Sequence, residues 1–147
     1  MICKDGVRVL KDIFNVMDID GMEFPAGRRT RVLVGDNGMM SGNHFVQGYV
    51  VIYPGGSVPV NSHNEEESFT ILSGNGVMTL DGVEYPAKAL DVFFVRPNTP
   101  HSILNTGDTD MAVMFVYAPP KIADHWAEEM ALKDKTYKQQ ERKPAVM

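Results

Sequence analysis

The chain has 147 residues, 44% of them hydrophobic and 22% charged, which suits one domain around a single core. Its formal net charge of -5 gives it no global reason to seek nucleic acid or an anionic membrane surface. No stretch approaches the roughly 20 apolar residues that a membrane helix needs, the N-terminus lacks the apolar run of a signal peptide, and the lone cysteine, Cys3, cannot form an internal disulfide, so the expected setting is reducing and cytoplasmic.

Leu10, Ile13, Phe14 and Met17 recur at helical spacing and predict a short amphipathic helix within an N-terminal extension, residues 1–29. Val7 and Val9 alternate with polar neighbours, as a strand would. Asp18-Ile19-Asp20-Gly21 lacks the third acid and the sixth-position glycine of a calcium loop and reads as a surface turn.

Over residues 30–118 the pattern changes to short strands separated by turns. RTRVLVG and FVQGYVVIY are rich in β-branched and aromatic residues and close on Gly or Pro-Gly. SFTIL and VMTL follow, and Asp81-Gly82 joins VMTL to VEY with the two-residue signal of a type I′ hairpin. DVFFV, HSIL and MAVMFVY complete the set. Strands this short, with no helices between them, predict an antiparallel sandwich or barrel.

Pro119-Pro120 ends the last strand. Ile122, Trp126 and Met130 recur four apart, with Asp124 early and Lys133 late, which predicts a helix over residues 119–134 packed on the outside of the barrel. Residues 135–147 are polar, mostly basic and without period, as in a solvated tail. The ten methionines are scattered and read as adaptable core filler.

The candidate chemistry lies in GGSVPVNSHNEEESFTILSG and RPNTPHSILN. His63 and Glu67 stand four apart, with Glu67 opening a strand whose alternate residues, Phe69 and Ile71, should share its face. His101 lies on another strand. Two imidazoles and a carboxylate with open positions suit a divalent metal, whose bonds to such donors are roughly 2.0–2.2 Å. An acid facing a barrel interior is costly unless paired or ligating, which favours a bound ion over a decayed pocket of hydrogen-bonded histidines.

Other residues carry two readings each. Gln47, Tyr49 and Tyr53 share a strand parity; inward, they would orient a substrate and move a proton, and outward they are surface residues. His44, before that strand, is either a further imidazole donor or a loop residue. Arg96 is either a bidentate fork for a substrate carboxylate or a surface or subunit ion pair. Glu65 and Glu66 extend the acidic run beside Glu67, where only one acid can keep the ligand spacing. Trp126 belongs to the stripe of the terminal helix, with His125 beside it.

The first segment resembles the first motif of the cupin superfamily: a glycine, five residues, His-x-His, three or four residues, Glu, six residues, Gly. Here it reads Gly55, Asn61-Ser62-His63, Glu67 and Gly74. The second resembles the other cupin motif, with His101 and Asn105 matching, while Leu90, Arg96 and Asn98 replace a glycine, a proline and a glycine. The resemblance implies an all-β double-stranded β-helix, a jelly-roll barrel with short flanking helices, that pairs as a homodimer. It implies a metal (Fe, Mn, Ni, Zn or Co) on His63, Glu67 and His101, with Asn61 where the family has its first histidine. An amide oxygen ligates more weakly than imidazole, so the fourth position is open or compromised. The activity implied is isomerase, lyase or ring-opening chemistry on a sugar acid or related hydroxy or oxo acid, with Tyr49, Tyr53 or Arg96 assisting. The alternatives are an Fe(II)-dependent dioxygenase and a metal-free small-molecule binder.

Overall fold

The computed structural model describes residues 13–36, 38–120 and Glu129. Ten strands follow one another: β1 (Met22–Phe24), β2 (Arg28–Val34), β3 (Val46–Ile52), β4 (Ser57–Asn61), β5 (Glu66–Ser73), β6 (Asn75–Leu80), β7 (Val83–Lys88), β8 (Val92–Val95), β9 (His101–Asn105) and β10 (Met111–Ala118). They form two antiparallel sheets, one in the order β1-β2-β3-β10-β5-β8 and one in the order β4-β9-β6-β7. This is the expected all-β jelly roll. The only helical piece in the N-terminal stretch described is the 3-10 turn Val16–Asp18, capped by Asn15. Ile13 and Met17 of the predicted amphipathic stripe are 81% and 43% exposed, so neither packs into the core. Leu10, Cys3, and the C-terminal helix and tail apart from Glu129 lie outside the described residues.

Strict alternation sets the core. In β3 and β10 every second residue is buried, so Val46, Val50 and Ile52 lie beside Tyr117, Val113 and Met111 on one inner face, with Phe115 among them. β5 contributes Phe69 and Ile71, and the smaller sheet closes over them with Met78 and Ile103. Each such side chain, fully buried, contributes about 1.5–3 kcal/mol. Gly48 leaves room for this packing, because a Cβ there would sit 2.3 Å from Cζ of Phe115. The hairpin between β6 and β7 turns on Asp81 and Gly82, with φ of 49° and 80°, the left-handed pair that a type I′ turn requires.

Two irregularities matter for the site. Between β4 and β9 the register shifts: Val58 pairs with Ile103, but Asn61 pairs with His101. One extra residue on β4 resets the alternation, so Val58 and Asn61 both turn inward although they are an odd number apart. The second lies in the loop before β9. Asn98 adopts φ of 61° and its N–H donates to the carbonyl of His63 at 2.7 Å. This bond ties the two motif segments together at the mouth of the barrel.

Candidate metal centre

Three elements converge there. Glu67, in β5 of the larger sheet, is flanked by Tyr117 of β10 and Val95 of β8. His101 opens β9 of the smaller sheet, between Asn61 and Leu80. His63 sits on the loop that carries the chain from one sheet to the other. The Nε2 atoms of His63 and His101 lie 3.0 and 3.4 Å from the same oxygen of Glu67, Oε1. The two rings meet edge to face at 4.9 Å. Glu67 and His101 are buried and His63 is half-buried.

The outer nitrogens settle the protonation. Nδ1 of His63 donates to the Glu65 carbonyl at 3.0 Å, and Nδ1 of His101 to the Thr99 carbonyl at 2.8 Å. A carbonyl only accepts, so each Nδ1 carries a proton, and a ring with no second proton turns an Nε2 lone pair toward Glu67. Three lone-pair atoms therefore converge on one water-poor point. That arrangement is repulsive unless protons or a cation lie between them. Protons are one solution: hydrogen bonding to Glu67 raises the pKa of His63 despite its burial. Burial pushes Glu67 up, but the bonds to His101 and His63 outweigh it and hold the carboxyl below its ordinary range. A divalent cation is the other solution. The donor set of two imidazole nitrogens and one carboxylate oxygen, all within 4.8 Å of one another, is one that such ions take.

Asn61 supports the cation. Its Nδ2 donates to the Pro59 carbonyl at 3.0 Å, while its buried Oδ1 has no hydrogen-bond partner. An amide oxygen left bare at the edge of a cleft shared with Glu67 and His101 is a weak fourth donor in waiting. The residues present thus fit a divalent metal.

The cleft measures about 310 Å³ including its open mouth and is lined by Arg28, Thr30, Val50, Val58, Asn61, Glu67, Phe69, His101 and Phe115. The expected helpers are elsewhere. Tyr49 and Gln47 lie on the opposite parity of β3 from buried Val50, and Gln47 donates to Sδ of Met114 at 3.4 Å. Tyr53 is buried but bonded to Arg29, outside the cleft lining. Arg96 is exposed and rests on the ring of Phe94, 5.5 Å from its centroid. His44 is exposed. Asn105 has a structural task, its amide donating to the carbonyls of Ile52 and Thr109 at 2.9 and 2.8 Å.

Three residues near the metal donors were not anticipated. Arg28 and Thr30 are 2% and 4% exposed and line the cleft from β2. Tyr117 packs beside His63, and burial, then the charges of Glu67 and Glu65, push its phenol above its ordinary range, so it stays protonated. The signal for Arg28 and Thr30 was their shared parity in RRTRV, obscured by arginines on the other parity as well.

Comparison with known proteins agrees with this geometry. The family model described as "Cupin domain" matches residues 48–117. An oxalate-binding protein of Thermotoga maritima is 44% identical over 64 residues, covering 43% of this chain and 53% of that protein. The chain spans about half the length of the curated relatives it matches. A solved structure described as a predicted oxalate decarboxylase, also from Thermotoga maritima, superposes with a TM-score of 0.57 at 33% identity, over 62% of this chain and 79% of that one. KdgF from Halomonas sp. superposes with a TM-score of 0.65 at 15% identity, over 76% and 96% of the two chains, a likeness of fold.

Proposed function

The chain belongs to the cupin superfamily, and we propose that it holds a divalent metal on His63, Glu67 and His101, with Asn61 as a weak fourth donor, and uses it to take a small oxygen-rich acid of the oxalate, hydroxy-acid or oxo-acid class. The convergence of two Nε2 lone pairs and a carboxylate oxygen on one buried point carries the reading. A metal bound there supplies a Lewis acid for a carboxylate or carbonyl oxygen. Phe69, Phe115, Val50 and Val58 line the cleft and limit water around the bound acid. The oxalate-binding relative and the predicted oxalate decarboxylase support that class.

The reaction is constrained by what the cleft lacks. Among the described residues, its titratable lining is Arg28, Glu67 and His101; the first is in an ion pair and the others are the proposed metal donors. Tyr49 and Tyr53 lie outside that lining, and the tyrosine beside the metal donors is Tyr117, next to His63 and paired with Glu67. Binding of the acid needs no further group, and cleavage would need a proton source such as the Tyr117 phenol. Calorimetric titration of oxalate into Mn-, Zn- and Ni-loaded protein and into chelator-stripped protein tests this. Saturable binding that requires metal is expected; equal binding without metal contradicts it.

A further inference from the structure

Among the described residues Arg28 is the one cation of the cleft lining, and it does not face an empty site. Its NH2 donates to Oε2 of Glu129 at 2.6 Å, and its NH1 pairs with Oε1 of the same carboxylate. NH1 also donates to the Ser57 carbonyl at 3.2 Å, and the Phe24 ring lies 4.2 Å from Cζ. The guanidinium is thus held in place on several sides. Its forked edge, the edge that recognises carboxylates, is gripped by a carboxylate from 101 positions along the chain. The side chains are 3% and 14% exposed.

We infer that Arg28 is the docking point for the substrate's carboxylate and that Glu129 occupies it as an internal surrogate, so that substrate and the Glu129 carboxylate compete for the same guanidinium. The inference rests on the proposed class of acid and adds how the site is filled when none is bound. A buried guanidinium left unpaired is costly, so some carboxylate must sit on it. Among the described residues, Glu129 supplies it. Arg28 lines the same cleft as the metal donors Glu67 and His101, so an acid bound in that cleft can present a carboxylate to it. Each carboxylate makes the same two bonds to Arg28, so exchange costs the arginine little, and the occupancy of Glu129 sets the apparent affinity. Ser57 and Phe24 hold Arg28 during the exchange, because neither contact uses the carboxylate.

The test titrates oxalate by calorimetry into wild type, Glu129→Gln and Arg28→Lys, each metal-loaded and chelator-stripped, with hydrogen exchange followed in the peptide that contains residue 129. Removing the surrogate charge in Glu129→Gln tightens oxalate binding by about tenfold, as expected when the competent state rises from roughly a tenth of the population. Arg28→Lys keeps the charge but loses the fork, and weakens binding at least about tenfold. Oxalate also speeds exchange in the wild-type peptide. If Arg28→Lys fails to fold, the Glu129→Gln ratio and the exchange data decide. An unchanged oxalate affinity in Glu129→Gln, or no oxalate binding by any variant in either metal state, overturns the inference. A Glu129→Gln effect that persists without metal sinks the metal reading alone, and metal-dependent binding without that effect sinks the surrogate alone.

Discussion

The two ends of the cleft make opposite demands. At one end, His63, Glu67 and His101 aim lone pairs at a common point, an arrangement completed by positive charge. At the other, Arg28 presents a forked donor that a carboxylate completes. The first end is held by the fold's own backbone: carbonyls of Glu65 and Thr99 fix the rings, and the Asn98 amide anchors the His63 loop. The second depends on a residue far along the chain. The comparison teaches that one end is preorganised and the other is capped, so a cation and an anion are recognised by different means within one cleft.

Breaking the preorganised end has the largest effect. His101→Ala removes a donor from the point of convergence and should lower metal affinity by more than the roughly 10–100-fold that loss of an outer-shell partner costs. The barrel should remain, since the variant keeps the core and the β4–β9 pairing; circular dichroism beside metal titration checks both. Retained affinity would place the metal elsewhere.

The weak corner sharpens the comparison. Asn61→His should tighten Zn or Ni binding on the order of tenfold, about 1.4 kcal/mol, because imidazole replaces an amide oxygen at a position the β4 irregularity already turns inward. Competition with a chromogenic chelator measures it. An unchanged affinity would mean that Asn61 does not reach the metal.

Acid separates the two solutions available to the lone pairs. In metal-free protein, the raised pKa of His63 gives stability that is complete below its ordinary value of 6.5 and lost as pH rises through its folded value. The lowered Glu67 gives stability present above its ordinary value of 4.5 and lost as pH falls through its folded value. Their joint contribution is therefore greatest between those two ordinary values. Metal competes with the His63 proton, so the rise in melting temperature on metal loading should shrink as pH falls through the raised His63 value. Melting curves with and without metal across this window test it; a rise independent of pH would contradict proton–metal competition.

The smallest effect lies off both ends. Leu90 adopts φ of 73° and is 81% exposed, a left-handed conformation that costs a leucine about 1–2 kcal/mol. Leu90→Gly should stabilise the fold by about 1 kcal/mol in urea denaturation, less than the full strain because glycine adds freedom to the unfolded chain. Metal affinity should not change.

The preorganised end was legible in the sequence because its residues follow local spacing that strand alternation carries into space. Glu67, Phe69 and Ile71 share the interior as their parity requires. The β3 parity was not legible, since Val46, Val50 and Ile52 alternate with Gln47, Tyr49 and Val51, a set that is itself mostly apolar; Gly48 packed on Phe115 marks the inner one. The capped end was hidden for a different reason. Arg28 stands in a run with Arg29 and Arg31, and its meaning comes from a partner 101 residues away, which no local period reports. The expected role of Arg96 fell to Arg28 as a candidate because Arg96 follows an edge strand with its side chain on an exposed ring.

The central claim is that the converging donors hold a metal, and elemental analysis of untagged protein after reconstitution with Mn, Zn or Ni and exhaustive dialysis tests it most directly. The account predicts about one ion per chain, retained by wild type and absent from His101→Ala. Less than about 0.1 ion per chain in wild type would contradict it and leave protons as the only charge between His63, Glu67 and His101.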